Sequence, residues 1–576
     1  MTAERVQVRL LGVPSARVGT RDLPQPRGRK SWAVLATLAM ADRPVGRREL
    51  ARTLFADADD PLGALRWTLA ELRRSLGVPD GLRGDPVSID EDRMVIDARV
   101  IDRGGAEASH LAQDASELLE GADLADCPEF ETWLVVARQR LRSRADGYLR
   151  DAAMHALATG DTSDAVRLAG LGVGSSPYDE TLHELLIRSL ARSGDRVAAQ
   201  EQATRAEHMI RSGLGVAPSN TLRLAALDAG APRGSRATAA VVESLIASGR
   251  AAVGAGAVDA GIETLRRAVA LADGRSLRGR ALFALGSALV HGVRGRDEEG
   301  AVVLHEGLVV AQAAGDQRTS VCALRELAFV DVQSGRAATV EARLQEALRL
   351  AEDDDELATG VLGVQGMHWC DRGDPMRSLE PLTESVERAE RARQPRQAAW
   401  SRGLTARSLL LLGRYGEAIT MSDCSIAGCR HERWQAFLPF PMAMRADAAL
   451  SDGAELDDIE NDLHVAFALG CQLGDPCWEG AAARGLALVS ARRGDLTAAR
   501  ATVADGYRRC IRHPDSYVFV EAWVLAADVA LAHEIGDEPA AQTSRTQLRT
   551  VASRTEQPWF LTEEAVSTAV PLRPRR

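Results

Sequence analysis

Polar and apolar positions alternate over Val6-Gln7-Val8-Arg9-Leu10, the period of a half-buried strand. Two short strand candidates follow, Ala16–Val18 and Arg21–Leu23, around Gly19-Thr20. Pro24 to Gly28 breaks the pattern, and from about Lys30 to Met40 the residues Trp32, Leu35, Leu38 and Ala39 return at helical spacing. Val45 to Leu54 reads as a second helix. Asp60-Pro61, an N-cap followed by a residue suited to the first helical position, opens a third. Along it Leu62, Leu65, Leu69, Leu72 and Leu76 form one stripe expected to face a core, and Gly77 ends it. The opposite face carries Gly63, Trp67, Ala70, Glu71 and Arg74, with Arg66 and Arg73 on its shoulder. Val87–Ile89 and Arg93–Ile96 read as a β-hairpin around an acidic tip, Asp90-Glu91-Asp92.

Strand, helix, helix, long helix, hairpin is the order of a winged helix-turn-helix, whose second helix-turn-helix element enters the major groove and reads base edges. The pattern thus predicts an α+β module over residues 1–100. Residues 101–230 read as helical throughout, with breaks at Ala158–Asp161 and Arg192–Asp195 that lie 34 residues apart. Ala229 to Thr238 is small, polar and Gly/Pro-containing, a linker composition. Beyond it, over residues 240–576, turn glycines fall at 256, 295, 335, 373, 413, 453, 494 and 536, in steps of 38 to 42 residues. Regular spacing over eight units predicts an α-solenoid of two-helix repeats. The chain is therefore expected to be mainly α, with a small N-terminal sheet.

Composition narrows the chemistry. The chain has one lysine, Lys30, among its 70 basic residues, and no GxxxxG precedes it, so a Walker A loop is excluded. No GxSxG, HExxH or strand-borne GxGxxG occurs, and no catalytic reaction is assigned. Eight scattered cysteines without a CxxC pair read as reduced thiols of a cytoplasmic protein. Cys424, Cys429 and His431 lack the spacing of a zinc site, so neither metal nor cofactor is expected. No run of 18 apolar residues is present, and no membrane span is expected. Charge is uneven: residues 5–78 carry 14 basic against 7 acidic residues, while the whole chain is −11. A basic N-terminal module on an acidic body points to a polyanion partner for the first module.

Residues 5–100 resemble the OmpR/PhoB-type winged helix of the Streptomyces antibiotic regulatory protein (SARP) group. The matching stretches are VRLLG at 8–12, RGRKSWAVLATLAM at 27–40, VGRRELARTLF at 45–55 and GALRWTLAELRRSLG at 63–77. Two features depart from the group: Ala70 and Glu71 stand where polar reading positions often occur, and the hairpin tip is acidic. Residues 101–232 resemble the bacterial transcriptional activator domain (BTAD), with Gly160-Asp161, Pro177 to Glu180, His183 and Leu214-Gly215-Val216-Ala217-Pro218-Ser219 in that order. His183 and Trp133 are expected to be core residues. The two-helix units beyond residue 240 are similar to tetratricopeptide repeats. The ATPase that many longer relatives place between activator domain and repeats is missing here.

The resemblance implies a sequence-specific regulator of transcription, an activator, that binds double-stranded promoter DNA, contacts RNA polymerase and dimerises. Arg66, Trp67, Thr68 and Arg74 are the expected base-reading residues. Arg29, Lys30, Arg47, Arg48 and Arg73, with Arg93 from the wing, are the expected phosphate anchors. In the repeats Trp400, Trp434, Trp478 and Trp523 fall in what read as first helices, 13, 19, 16 and 13 residues before their turn glycines, offsets that differ by multiples of three. With Arg402 and Arg484 they either line an inner stripe for a small molecule or peptide, or fill gaps between Ala-rich helices. The competing reading of the whole chain is a repeat scaffold whose N-terminal module makes protein contacts instead of binding DNA.

Overall fold

The computed structural model describes residues 5–576 except positions 29, 42, 80, 105–106, 115, 122–123, 125–126, 216–217, 219–220, 228–238, 514, 556–559, 561–569, 571 and 573–576. The linker read at 229–238 lies outside the described residues. The chain divides into two compact units, Met1–Leu149 and Arg150–Arg576.

The first unit runs β1 (Val6–Arg9), β2 (Ser15–Val18), β3 (Arg21–Asp22), α1 (Ser31–Ala39), α2 (Arg47–Phe55), α3 (Pro61–Leu76), β4 (Met94–Ile96), α4 (Asp97–Arg103) and α5 (Ala108–Leu111), followed by the start of α6 (Pro128–Thr159). The sheet order is β3-β2-β1-β4. Alternation in β1 does what its period predicts: Val6 and Val8 are buried and Gln7 and Arg9 exposed. The core beneath is built from Leu35 and Leu38 of α1, Leu50 and Leu54 of α2, and Leu65, Leu69, Leu72 and Leu76 of α3.

Two expectations are corrected here. The hairpin over 87–96 does not form. Val87 instead pairs with Val45, its amide donating to the Val45 carbonyl at 2.8 Å. β4 lies parallel to β1, with Val6 opposite Met94 and Val8 opposite Ile96. The physical reason is burial: Met94 and Ile96 extend the apolar face begun by Val6 and Val8, which a solvated wing would not do. The Asp97 carboxylate locks this arrangement by accepting from the Leu10 and Leu11 amides at 2.7 and 3.1 Å. Residues 101–127 are also not helical throughout, because Leu118 bridges Leu11 and the Leu119 amide donates to the Leu10 carbonyl at 2.8 Å.

The second unit opens with the end of α6, then α7 (Thr162–Ser175), α8 (Glu180–Ser193), α9 (Arg196–Leu214) and α10 (Thr221–Ala225). His183 is fully buried, bonded to the Pro177 carbonyl at 2.8 Å and to Gln202 at 3.0 Å, as a core histidine should be. Eight antiparallel helix pairs follow. They are α11 (Ala239–Gly254) with α12 (Val258–Leu271), α13 (Arg275–Gly292) with α14 (Asp297–Ala314), α15 (Gln317–Gln333) with α16 (Val340–Ala351), and α17 (Asp355–Asp371) with α18 (Pro375–Arg391). The last four are α19 (Pro395–Leu411) with α20 (Tyr415–His431), α21 (Pro439–Asp452) with α22 (Leu456–Leu473), α23 (Pro476–Arg492) with α24 (Leu496–Cys510), and α25 (Val518–Ile535) with α26 (Glu538–Arg554).

Each of the eight turn glycines read from the sequence sits between the two helices of a pair with positive φ. A recurrent Gly-Asp step makes the turn sharp. The glycine adopts the left-handed conformation, and the aspartate caps the next helix by accepting from backbone amides in its first turn, as Asp495 does from Ala498 at 2.9 Å. Within a pair, small residues let the backbones approach: a Cβ on Gly286 would lie 2.6 Å from Leu304 and 3.1 Å from the Gly300 carbonyl.

Gly494 has φ +90° and open space around it, so Gly494→Ala isolates the backbone cost. It is expected to destabilise the array by about 1 kcal/mol. Gly286→Ala adds steric overlap and should cost clearly more. Thermal melts of the two variants check this, and an equal loss for both would contradict the close-packing argument.

Candidate functional site

The α3 helix is placed by its own termini. The Asp60 carboxylate accepts from the Gly63 amide at 2.8 Å, Pro61 takes the first turn, and Gly77 closes the helix at φ 68°. Its inner stripe is Leu65, Leu69, Leu72 and Leu76; Leu62, expected in that stripe, is exposed. The open face presents Arg66, Trp67 and Arg74. Arg66 lies 3.5 Å from Asp60, and Arg74 pairs with Glu71. Trp67 is 52% exposed and packs its ring edge over the Gly28 turn, where a Cβ would approach it to 3.1 Å.

Glu71, expected on the open face, is buried. The segment before α1 crosses that flank of α3, and the Arg27 amide donates to the Glu71 carboxylate at 3.1 Å. Thr68, expected to read bases, is only 4% exposed and donates its hydroxyl to the Ala64 carbonyl at 2.9 Å, so it faces inward.

The expected phosphate anchors divide. Arg48 is exposed. Arg93 is half-exposed, 3.8 Å from Asp90. Arg73 donates to the Leu82 carbonyl at 3.0 Å, and burial together with Arg83 and Arg47 lowers its pKa. Arg47 donates to the Gly84 carbonyl at 2.8 Å. Lys30 is turned inward, paired with Asp57 at 2.8 Å and lying over the Phe55 ring, so its ammonium is already committed. Arg29 lies outside the described residues.

In the second unit the first helices of successive pairs line a cavity of about 480 Å³. Trp400 from α19 and Trp478 from α23 reach it; Trp434 also reaches it, but from the turn between α20 and α21 and not from a first helix. Trp523 does not. It is 2% exposed, with the Arg484 guanidinium stacked at 4.0 Å and donating to its carbonyl at 3.1 Å. Arg484 is fully buried and paired with Asp447, and Arg402 is paired with Glu390 away from the cavity. For Trp523 the gap-filling reading holds. Phe329, Phe437, Phe440, His291, Glu326 and Tyr517 also line the cavity and were not singled out in the sequence. The signal for two of these rings was present: Phe437 and Phe440 fall within seven residues that begin at Trp434, in a chain only 4% aromatic.

One end of the cavity is closed by residues far apart in sequence. Arg294 pairs with Asp475, and the Gly295 amide donates to Asp515 in the α24–α25 turn at 2.6 Å. Tyr517 reaches Asp371 at 2.9 Å and also bonds Arg407. Gln333 donates to Asp297 at 3.0 Å and to the Asp515 carbonyl at 3.2 Å. Burial and the adjacent Asp515 carboxyl push the Asp297 pKa well above the usual range, only partly offset by Arg294 and Arg336. Each of these two carboxyls keeps a buried oxygen without a hydrogen-bond partner, so no donor relieves the repulsion that the Asp515 carboxyl exerts on Asp297.

Among the described residues no three His, Cys, Asp or Glu side chains gather as a metal site. Cys429 is buried, which pushes its thiol up to about 11, whereas Cys424 is exposed. No described helix is long and apolar enough to cross a membrane.

With this geometry in hand, comparison with known proteins is informative over one segment. Residues 96–227 match the family model of the bacterial transcriptional activator domain. The chain thus carries the domain of a bacterial transcriptional regulator. That domain follows an N-terminal α+β module in the chain and precedes helical repeats. Mycobacterium tuberculosis EmbR, solved in complex with a low-affinity phosphopeptide, is 20% identical with a TM-score of 0.31, over 39% of this chain and 64% of that one. The match therefore spans less than two thirds of the EmbR chain. A Rap protein complexed with competence and sporulation factor is 8% identical with a TM-score of 0.38, over 58% of this chain and 86% of that one. A signal transduction ATPase with numerous domains and a tetratricopeptide repeat sensor, from Pyrococcus horikoshii, is 13% identical with a TM-score of 0.33, over 90% of this chain and 66% of that one. No curated protein matches the sequence.

The Asp297 pKa is raised on folding, so its contribution to stability is full below the unfolded value near 4 and is lost as pH rises through the folded value. Asp515→Asn supplies an amide donor to Asp297 and removes the repulsion. It should stabilise the array by about 1–2 kcal/mol at pH 8, with a gain that shrinks toward pH 5. Melting temperatures that move in parallel with pH in both proteins would rule out this repulsion.

Proposed function

We propose that the protein is a sequence-specific, DNA-binding activator of transcription whose α3 helix enters the major groove of promoter DNA. The observation that carries this reading is the open face of α3, where Arg66, Trp67 and Arg74 stand together on a basic module that precedes an activator domain. Arginine recognises guanine bidentately, and an indole packs on thymine methyl groups or sugars. Arg47, Arg48, Arg73 and Arg93 are the remaining candidates for phosphate contacts; Thr68 and Lys30 drop out of the reading because both are turned inward. The activator domain positions the head, as a homodimer on repeated half-sites, and contacts RNA polymerase. The repeat array receives a ligand or partner through its aromatic cavity and sets the activity of the head. The reading places the protein in the cytoplasm and assigns it no chemical reaction.

The test is a selection from sheared genomic DNA by the purified full chain at near-physiological salt, beside an Arg66→Ala/Arg74→Ala double variant. The wild type should enrich a motif that the double variant loses, each arginine contributing about 1–3 kcal/mol of discrimination. Binding to the enriched site should weaken linearly on a log–log salt plot, by about 0.9 per phosphate contact. Enrichment that survives the double substitution, or a flat salt slope, would return the α3 face to protein contacts.

A further inference from the structure

The cavity in the repeat array has three properties that together define a ligand. The first is its aromatic wall. Of 23 Phe, Trp and Tyr residues in the chain, seven line this one cavity. Trp434 stacks on Phe437 with ring centroids 5.1 Å apart, and Phe437 on Phe440 at 5.3 Å. Trp478 packs against Phe440 at 5.3 Å and is fixed by its indole N–H, which donates to the Ala436 carbonyl at 3.0 Å. Trp400 stands 6.4 Å from Phe329 on the α15–α19 side. Trp400, Trp434 and Trp478 are each only partly buried, so ring surface remains free for a guest. Rings that stay available to stack favour a flat, apolar molecule.

The second property is charge. Two of the three lining arginines are neutralised internally: Arg294 by Asp475, and Arg325 by Glu326. Burial alone would raise the Glu326 pKa, but Arg325 and His291 hold it down to about 2, so this carboxylate stays ionised against Arg325. Arg396, at the cavity mouth, is held more loosely: its side chain is 59% exposed, 3.8 Å from the Glu432 carboxylate, and donates to the Glu432 carbonyl at 3.2 Å. A neighbouring recess adds Arg250, Arg280 and Arg318 against Glu243 and Glu356. The inner surface thus holds six arginines against four carboxylates on a chain that is −11 overall. That surplus attracts an anion.

The third property is closure. The Arg294–Asp475 pair and the Gly295–Asp515 hydrogen bond join residues about 200 positions apart across one end. An extended peptide running along the groove would have to break them. A compact molecule need not, and about 480 Å³ lies inside the range of small-molecule pockets.

We infer that the cavity binds a compact, planar aromatic small molecule carrying a single anionic group, with its rings against Trp400, Trp434 and Trp478 and its anion at Arg396. The inference deepens the reading of the array as the sensing part and rests on it only for the consequence of binding, not for binding itself.

The test uses the full chain and two probes of nearly the same shape. 1-Anilinonaphthalene-8-sulfonate is a planar aromatic anion; N-phenyl-1-naphthylamine is its uncharged counterpart. The sulfonate is expected to bind at one equivalent per chain with a micromolar Kd, read by energy transfer from tryptophan. Trp434→Ala should weaken both probes at least tenfold. Arg396→Gln, on the surface, should weaken the sulfonate three- to tenfold and leave the neutral amine unchanged. Thermal melts accompany both variants; if Trp434→Ala alone fails to fold, Arg396→Gln still decides. Sulfonate binding that ignores either substitution, or an Arg396→Gln effect equal on both probes, overturns the inference. So does displacement of the probe by extended acidic nonapeptides at lower concentration than by naphthalene sulfonate. None of these readouts needs DNA. A failed genomic selection therefore leaves the ligand site standing, while probe binding that never alters promoter affinity sinks only the sensing role.

Discussion

A pair of antiparallel helices has more apolar surface than the two can hide against each other, and that surplus dictates the second unit. Stacking hides it, and the two helices of each pair bear unequal shares. In α17, 13 of 17 residues are buried; in its partner α18 only six of 17 are. In α25 it is 14 of 18. From α15 onward the first helices are therefore sandwiched between neighbours and look onto the inner surface, while the second helices keep a single apolar stripe and a solvated back; α14, which packs against α6, is as buried as α13. A polar side chain on the packed faces of these first helices is thereby taken out of water and must find a partner nearby. Arg407 with Asp371, Arg484 with Asp447, and Glu326 with Arg325 are the result. Breaking one such buried pair from one side costs about 3–5 kcal/mol, because a lone charge stays behind.

The same constraint fixes how the activator-domain segment joins the array. Arg150, on the α6 stretch that belongs to the second unit, is 2% exposed. Its guanidinium contacts Glu298 of α14 at 2.8 Å and Asp331 of α15 at 3.0 Å. Asp151 beside it pairs with Arg343 of α16 at 2.5 Å. His305, packed against His155 with ring centroids 5.8 Å apart, has its pKa lowered to about 4 by burial, so it sits neutral amid this network. The attachment is thus a set of buried charges spread over three array helices. A change in the packing of α14 or α15, whose first-helix neighbours line the aromatic cavity, meets α6 through stiff, directional contacts.

What was legible in the sequence follows the range of the interactions involved. Turn glycines and capping aspartates act within a few residues, so all eight units could be counted from Gly256 to Gly536 before any fold was known. The limits of α3 were legible for the same reason, from Asp60 and Gly77. Strand pairing was not: 94–96 alternates equally well in a hairpin or beside β1, and only the distant Val6 and Val8 decide. Angular position on a helix was a partial guide. Glu71 and Thr68 lie inside because the segment before α1 and the preceding turn of α3 supply them with partners, and neither is visible to a rule based on spacing. The tryptophan stripe failed in part for a related reason. Equal offsets from their turn glycines grouped Trp523 with Trp400, yet Trp523 stacks on Arg484 in the interior, and Trp434 reaches the cavity from a turn. The better signal was local clustering, the three rings between 434 and 440 in an aromatic-poor chain.

Exposure then separates the arginines that can exchange partners from those that cannot. Arg66 and Arg74 each hold a carboxylate, but their side chains are 66% and 71% exposed. The Arg66–Asp60 pair, exposed on both sides, is worth about 0–1 kcal/mol, screened by salt and easily surrendered, whereas Glu71 is buried and still holds the Arg27 amide when Arg74 leaves it. Lys30 against Asp57 is different: with its side chain 13% exposed and lying over the Phe55 ring, it gains little by turning outward. The proposed DNA contact therefore starts from arginines that are held in place at small cost. Asp60 and Glu71 keep the two guanidiniums extended along one face of α3, and a guanine edge or phosphate replaces those carboxylates instead of ordering two free side chains. On the proposed reading Asp60 and Glu71 serve to orient the groups that meet the DNA.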